Sequence, residues 1–216
     1  TNGTLVTPEI AARMKEVGIS RVSISLDFPV ADLHDDFRGH QGAFEAALNG
    51  INNLKGAGVP FQINTTVTKL NVDYLEATLN LALELDAAAF HPFMLVPTGR
   101  AKEMSDVELA AEDYEDTLNW MYDRQAELGD RIFFKPTDAP HYLRIIRQRR
   151  REGGCSGCGP AQMEAKHTIG TSPHNQITRG CLAGTGFCFI SHLGRVQGCG
   201  YLDIEAGNLR EKTFAE

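Results

Sequence analysis

Five cysteines stand between residues 155 and 199 of a 216-residue chain, and none stands elsewhere. Cys155 and Cys158 form "CSGC". That spacing lets two thiolates take one metal, as in zinc knuckles and iron–sulfur sites, and it equally suits a dithiol redox pair. A glycine-rich loop with incidental cysteines is the plainer alternative. Cys181, Cys188 and Cys199 fall within "RGCLAGTGFCFISHLGRVQGCG". "GFCFISH" and "GRVQGC" have the pattern of two short strands around a turn at Leu193-Gly194, which predicts a hairpin returning Cys199 toward Cys181. Two or three thiolates do not complete a four-ligand cluster, so further ligands must come from Cys155 and Cys158 or from outside this sequence. Cys188 alternates onto the face of Ile190 and His192, where a free cysteine can also serve as a small buried apolar residue.

The chain around these thiols is that of an ordinary globular protein. Hydrophobic residues make up 42% and the formal net charge is −7, which argues against non-specific nucleic-acid binding. No run of 18 apolar residues predicts a membrane span, and the first residues show no basic-then-apolar export pattern. A reducing cytoplasm is therefore expected, where clustered cysteines do metal or redox chemistry rather than build a disulfide framework. "TNGT" runs directly into a helix start, as though a strand had just ended, and the sequence stops soon after the cysteines. The expectation is an interior fragment of a longer protein.

The elements that must position any site alternate. "TPEIAARMKEVGI" predicts a helix with Thr7 as N-cap, Pro8 in its first turn and Gly18 at its stop. Strands are predicted near residues 21, 61 and 90, with helices over "GAFEAALNGINNLKGAGV" and, capped by Asn71, over "NVDYLEATLNLALEL" between them. That rhythm predicts βαβ units and a parallel sheet. A helix over Glu112–Leu128, a short strand in "RIFFKP" and a basic helix in "HYLRIIRQRRRE" follow. From Gly153 glycine and cysteine replace helical periodicity, so the domains are expected to be residues 1–152 and 153–216.

Two strands are polar on one face. Val22, Ile24 and Leu26 alternate with Ser23, Ser25 and Asp27; Ile63, Thr65 and Val67 alternate with Gln62, Asn64 and Thr66. Parallel strands covered on both faces should be almost wholly apolar. An exposed sheet face is one solution. An incomplete barrel, with helices over the apolar face and a wet lumen on the other, fits the intervening helices better. Asp27, Asn64 and Thr66 lie toward strand C-termini, where such folds bind ligands.

Cys181, twelve residues, Gly194, four residues, Cys199: this run resembles the opening of the auxiliary-cluster motif in radical SAM proteins with a SPASM or twitch domain. "TNGT", "SISLD", "DDFRGHQGAFEAAL" and "INTTVTKLN" resemble the third to fifth strands of that superfamily's six-stranded barrel and their following segments. Within it, "QINTTVTKLN", "LVPTGRA", "YEDTLNWMYD", "APHYLRIIRQR" and "ITRGCLAGTGFCFISHLGRVQGCGYL" resemble, in order, the heme b synthases of the siroheme-dependent heme pathway. The resemblance implies an α/β fold. It is the C-terminal half of a partial (βα)6 TIM-like barrel followed by a small, incomplete Cys-rich α+β cluster domain.

The same resemblance implies S-adenosylmethionine, a [4Fe-4S] radical SAM cluster with its ligands outside this chain, and an auxiliary iron–sulfur cluster. The substrate would be iron-coproporphyrin III or a related tetrapyrrole, two propionates of which become vinyls by oxidative decarboxylation. An electron donor such as a flavodoxin or ferredoxin is implied, and no nucleic-acid or membrane partner. By position Ser25, Asp27, Asn64 and Thr66, with Asn2, would contact S-adenosylmethionine, and "FMLVP" would offer backbone to adenine. Arg100, Arg144 and Arg147 could fork onto propionates, or be a solvated basic face. His141 and His192 could touch the iron or a propionate, or be ordinary histidines. Cys181 and Cys199, with Cys188, Cys155 and Cys158, would be the cluster ligands. No residue of this chain is implied in the radical-generating step itself. Gly198 stands where proline often precedes the second motif cysteine, and Phe28 where glycine often follows the aspartate. Two alternatives share these features: a radical SAM maturase acting on a peptide or another tetrapyrrole, and a non-enzymatic zinc or iron–sulfur module.

Overall fold

The computed structural model describes residues 1–152 and 183–215, which fall into two compact units. The first comprises Thr1–Leu95 with residues 107–152. It runs α1 (Pro8–Glu16), β1 (Val22–Ser25), α2 (Ala31–Arg38), α3 (Ala43–Gly56), β2 (Phe61–Val67), α4 (Leu75–Glu84), β3 (Ala89–Met94), α5 (Ala111–Leu128), β4 (Phe133–Phe134) and α6 (Tyr142–Glu152). The four strands form one parallel sheet in the order β1-β2-β3-β4. The βα rhythm read from the sequence is thus the observed architecture.

One face of the sheet carries the core. Ile24, Ile63, Phe90 and Phe134 meet Ile51, Leu54, Leu79, Leu118 and Met121 of the helices, all at most 1% exposed. Burial of side chains this size contributes about 1.5–3 kcal/mol each. The single tryptophan, Trp120 on α5, sets its ring edge against Phe134 at 6.1 Å and donates its indole N–H to Glu76 at 2.9 Å.

Local signals explain the helix ends, with one correction. Thr7 caps α1 as expected, its hydroxyl accepting the Ile10 N–H at 3.3 Å. Asn71 does not cap α4. Its Oδ1 accepts from the Thr68 N–H at 2.8 Å, and its Nδ2 donates to the carbonyls of Asp27 (2.9 Å) and Thr66 (2.8 Å). A 3-10 turn at Val72–Tyr74 leads into α4 instead. The amide ties two strand ends together, a tertiary role that overrides its local preference. Gly42 precedes α3 without a capping side chain, and Asp35 on α2 supplies the cap, accepting from the N–H of Gly42 (2.5 Å) and Phe44 (2.8 Å).

The second unit comprises Val96–Asp106 with residues 183–215. Its sheet is an antiparallel meander of β5 (Phe189–Ile190), β6 (Arg195–Cys199) and β7 (Leu202–Asn208). The hairpin expected at Leu193-Gly194 is present: Gly194 has φ +82 and donates to the Ser191 carbonyl at 2.9 Å. Among the described residues, no helix is long and apolar enough to cross a membrane.

Candidate active-site trough

Partners in a parallel sheet present side chains to the same face, so the register defines the polar surface row by row. The first row is Ser23, Gln62, Ala89 and Phe133. The second is Ser25, Asn64 and His91, extended to Lys135, whose N–H bonds the Phe90 carbonyl at 3.1 Å. The third is Thr66, Phe93 and Thr137. The Arg21 guanidinium, just before β1, lies 5.8 Å from the centre of the Phe133 ring on β4, so side chains from the two outer strands meet across this polar face, the trough of the unit.

Asp27 fixes the rim. It is fully buried, and its Oδ1 accepts the Thr66 N–H at 2.8 Å while Oδ2 pairs with Arg38 of α2. Its own N–H donates to His34 Nδ1 at 3.2 Å. Its Oδ1 is thus hydrogen-bonded and its Oδ2 ion-paired, and Asp27 joins β1, β2 and α2 at the strand ends. His34 is held below its usual imidazole range, first by burial. Phe28, in the glycine position of the resemblance, is buried between Phe37 and Tyr74 at 5.7 and 5.4 Å.

Thr1 lies along the outer edge of β1: its amino group donates to the Ser23 carbonyl (3.0 Å) and its carbonyl accepts from Ser25 N–H (2.9 Å). The side chain of exposed Asn2 holds the next turn through the Thr4 N–H (3.3 Å) and hydroxyl (3.1 Å). Gly50 of α3 lets this turn approach, since a Cβ there would stand 2.3 Å from the Gly3 carbonyl oxygen.

Of the residues expected to meet S-adenosylmethionine, Ser25, Asn64 and Thr66 share the trough. Gln62, expected on this polar face, joins them, and His91 was not anticipated there. Gln62 Nε2 donates to Asn64 Oδ1 at 2.8 Å and lies 3.2 Å from His91 Nδ1. His91 is pushed down to about 4 by burial first, then by Arg21 and Lys135. Its Nε2 is buried without a hydrogen-bond partner among the described residues. The signal for His91 was its parity in "FHPFM", masked by the apolar residues around it.

The basic helix lies elsewhere. Arg144 forks onto Glu115 of α5, with Nη1 3.0 Å from Oε1, and also donates to Gln148 at 2.9 Å. Arg149 pairs with Asp123 and lies 5.4 Å over Tyr122. Arg147 is exposed on α6. His141 stacks on Tyr114 at 4.6 Å; burial lowers the imidazole and raises the phenol to about 12. These groups belong to the helical layer on the core side of the sheet, not to the trough. Arg100 lies in the 3-10 stretch Gly99–Val107.

In the second unit, Cys199 ends β6 and its Sγ accepts the Tyr201 N–H at 3.4 Å. Cys188 immediately precedes β5; both thiols are free and partly buried. His192 is exposed in the turn, its carbonyl accepting from Arg210 at 3.2 Å. Cys155, Cys158 and Cys181 lie outside the described residues. Among the described residues no three candidate metal ligands converge.

Comparison with known proteins decides the family. Residues 1–82 match the radical SAM superfamily model. This segment belongs to the radical SAM superfamily. The whole chain is 48% identical over 219 residues to the AdoMet-dependent heme synthase of Oleidesulfovibrio alaskensis, covering 52% of that protein. It is 47% identical to the AdoMet-dependent heme synthase of Methanosarcina barkeri, covering 58% of it. The chain thus spans about half the length of the curated relatives it matches. The same fold appears in a solved structure described as native anSMEcpe with bound AdoMet. That match has a TM-score of 0.63 at 20% identity, over all of this chain and 54% of the other.

Proposed function

We propose that the full-length protein is a radical SAM enzyme of heme formation that oxidatively decarboxylates two propionates of iron-coproporphyrin III to vinyls. The observation that carries this reading is the near-half identity to two heme synthases along the entire chain, second unit included. S-adenosylmethionine with its cluster supplies a 5′-deoxyadenosyl radical when bound. The trough fits such a cofactor: the Ser25 and Thr66 hydroxyls and the Asn64 amide stand at the C-terminal half of β1 and β2, with the amide oxygen already held by Gln62. Asn64 therefore has its two N–H donors for a ligand oxygen. Asp27 and Arg38 keep that rim in register.

The second unit is read as part of an auxiliary-cluster domain. Cys199 would contribute one thiolate, its Sγ already accepting the Tyr201 N–H. Cys181 would contribute another, with Cys188, Cys155 and Cys158 as the remaining candidates. Such a cluster would take the electron left by each decarboxylation, and a flavodoxin or ferredoxin would supply electrons for radical formation.

The test is anaerobic incubation of the reconstituted full-length protein with iron-coproporphyrin III, S-adenosylmethionine and reductant. A monovinyl intermediate followed by heme b is expected. Intact substrate beside a modified peptide or a different tetrapyrrole product would replace this reading with the maturase one, and zinc without iron would point to a binding module.

A further inference from the structure

Several cations of this chain have a carboxylate beside them. Arg13, Lys55, Arg124 and Arg195 pair with Glu16, Asp86, Glu127 and Glu205. Two that share the trough face do not. Arg21 precedes β1 with the parity of Ser23 and Ser25, and Lys135 follows β4 opposite His91. Neither has an acidic partner among the described residues. They converge nonetheless. The Arg21 guanidinium sits 5.8 Å from the Phe133 ring centre, and the His91 ring meets the same ring edge-on at 5.5 Å. Both charges act on His91 and help to keep it neutral. Where Gln62 donates to His91 Nδ1, the unpartnered Nε2 carries the proton and adds a third donor.

Two cations on one polar face of a chain with net charge −7 repel each other and raise the potential there. That arrangement is stable when an anion arrives with the ligand. A guanidinium presents a planar fork to a carboxylate and an ammonium a point charge, while the Phe133 ring offers an apolar wall between them.

We propose that Arg21 and Lys135, with Gln62 and His91 between them, form a subsite for a carboxylate of the substrate on the polar face of the sheet. The proposal rests on the tetrapyrrole reading above and specifies it: the carboxylate is a propionate of iron-coproporphyrin III, anchored while the macrocycle lies along Phe133. The methionine end of S-adenosylmethionine also carries a carboxylate, so the experiment must separate the two sources.

The test uses the anaerobically reconstituted full-length protein, its Arg21→Gln and Lys135→Met variants and the double variant. Binding of iron-coproporphyrin III and of its tetramethyl ester is followed by visible absorption, and S-adenosylmethionine binding is measured in parallel. The double variant should bind the free acid at least about tenfold more weakly, the size of one charge-assisted hydrogen bond. Its affinities for the ester and for S-adenosylmethionine should not change, so acid and ester come to bind alike. Arg21→Lys should recover part of the loss, which a folding defect would not. Unchanged affinity for the acid, or an equal loss for the ester, overturns the subsite. Weakened S-adenosylmethionine binding with intact tetrapyrrole binding assigns the cations to the cofactor and overturns it as well. A wild-type protein that binds neither acid nor ester overturns the tetrapyrrole reading itself, and the subsite with it.

Discussion

On the helical side of the β1–β4 sheet, Arg144 is gripped by Glu115 and Arg149 by Asp123. On the trough side, Arg21 and Lys135 share a ring and a histidine and have no acidic partner among the described residues. The sequence makes the helical arginines the more conspicuous, because five basic residues crowd "RIIRQRRRE". The fold reverses their standing. A cation whose counter-ion is built into the neighbouring helix is neutralised where it stands; one on the polar face without such a partner is poised for a ligand. The trough also holds polar groups open to a ligand: among the described residues His91 Nε2 has no hydrogen-bond partner, and Gln62 occupies only the oxygen of the Asn64 amide.

Substitutions can break this comparison at several strengths. The largest loss is expected at the rim. Asp27→Ala strands Arg38 and removes the acceptor of the Thr66 N–H, so chemical denaturation should show a loss of about 3 kcal/mol. Faster amide exchange at Thr66 should accompany it. On the helical side, Gly50→Ala drives a Cβ into the Gly3 carbonyl, and a loss of about 2 kcal/mol is expected with exchange rising at residues 1–6. An unchanged denaturation midpoint would show that α3 can move away without cost.

The trough also predicts a response to acid. His91 takes a proton at about 4 when folded and near 6.5 when unfolded, so the unfolded chain binds the proton first. Its contribution is complete above pH 6.5 and is lost as pH falls from about 6.5 to about 4. Relative to His91→Gln, the wild type should lose about 1 kcal/mol across that window, allowing for solvent screening at a half-buried ring. Parallel pH curves for the two proteins would contradict the buried placement. The smallest effect belongs to Arg144→Met: an exposed pair contributes little, so melting temperature and tetrapyrrole affinity should both stay unchanged. A large loss of tetrapyrrole affinity in that variant would restore α6 as a substrate face.

The trough was legible where alternation is local. Residues 22–27 and 61–67 announce a polar face by parity alone, and the helices between them imply that the other face is covered. Cys199 and Gly194 likewise sit on the hairpin that their spacing predicts. What escaped were long-range partnerships. Asn71 looks like a cap because caps are local, yet its amide reaches back 44 residues to Asp27. The partners of Asp27 are distant too: the Thr66 N–H lies 39 residues on, and the Arg38 guanidinium comes from α2. His91 hides inside an apolar run whose lumen-facing parity becomes evident only with the register. Arg144 looks free until α5 is laid beside α6.

Trp120 has a spectroscopic consequence. Its indole packs on Phe134, on the far side of the same sheet from Phe133 and His91. A tetrapyrrole in the trough would lie about one sheet thickness from an emitter whose fluorescence overlaps the porphyrin absorption band. Occupancy should therefore register as quenching by energy transfer, without labelling and without turnover. Trp120→Phe would identify the share of the signal that comes from this side chain.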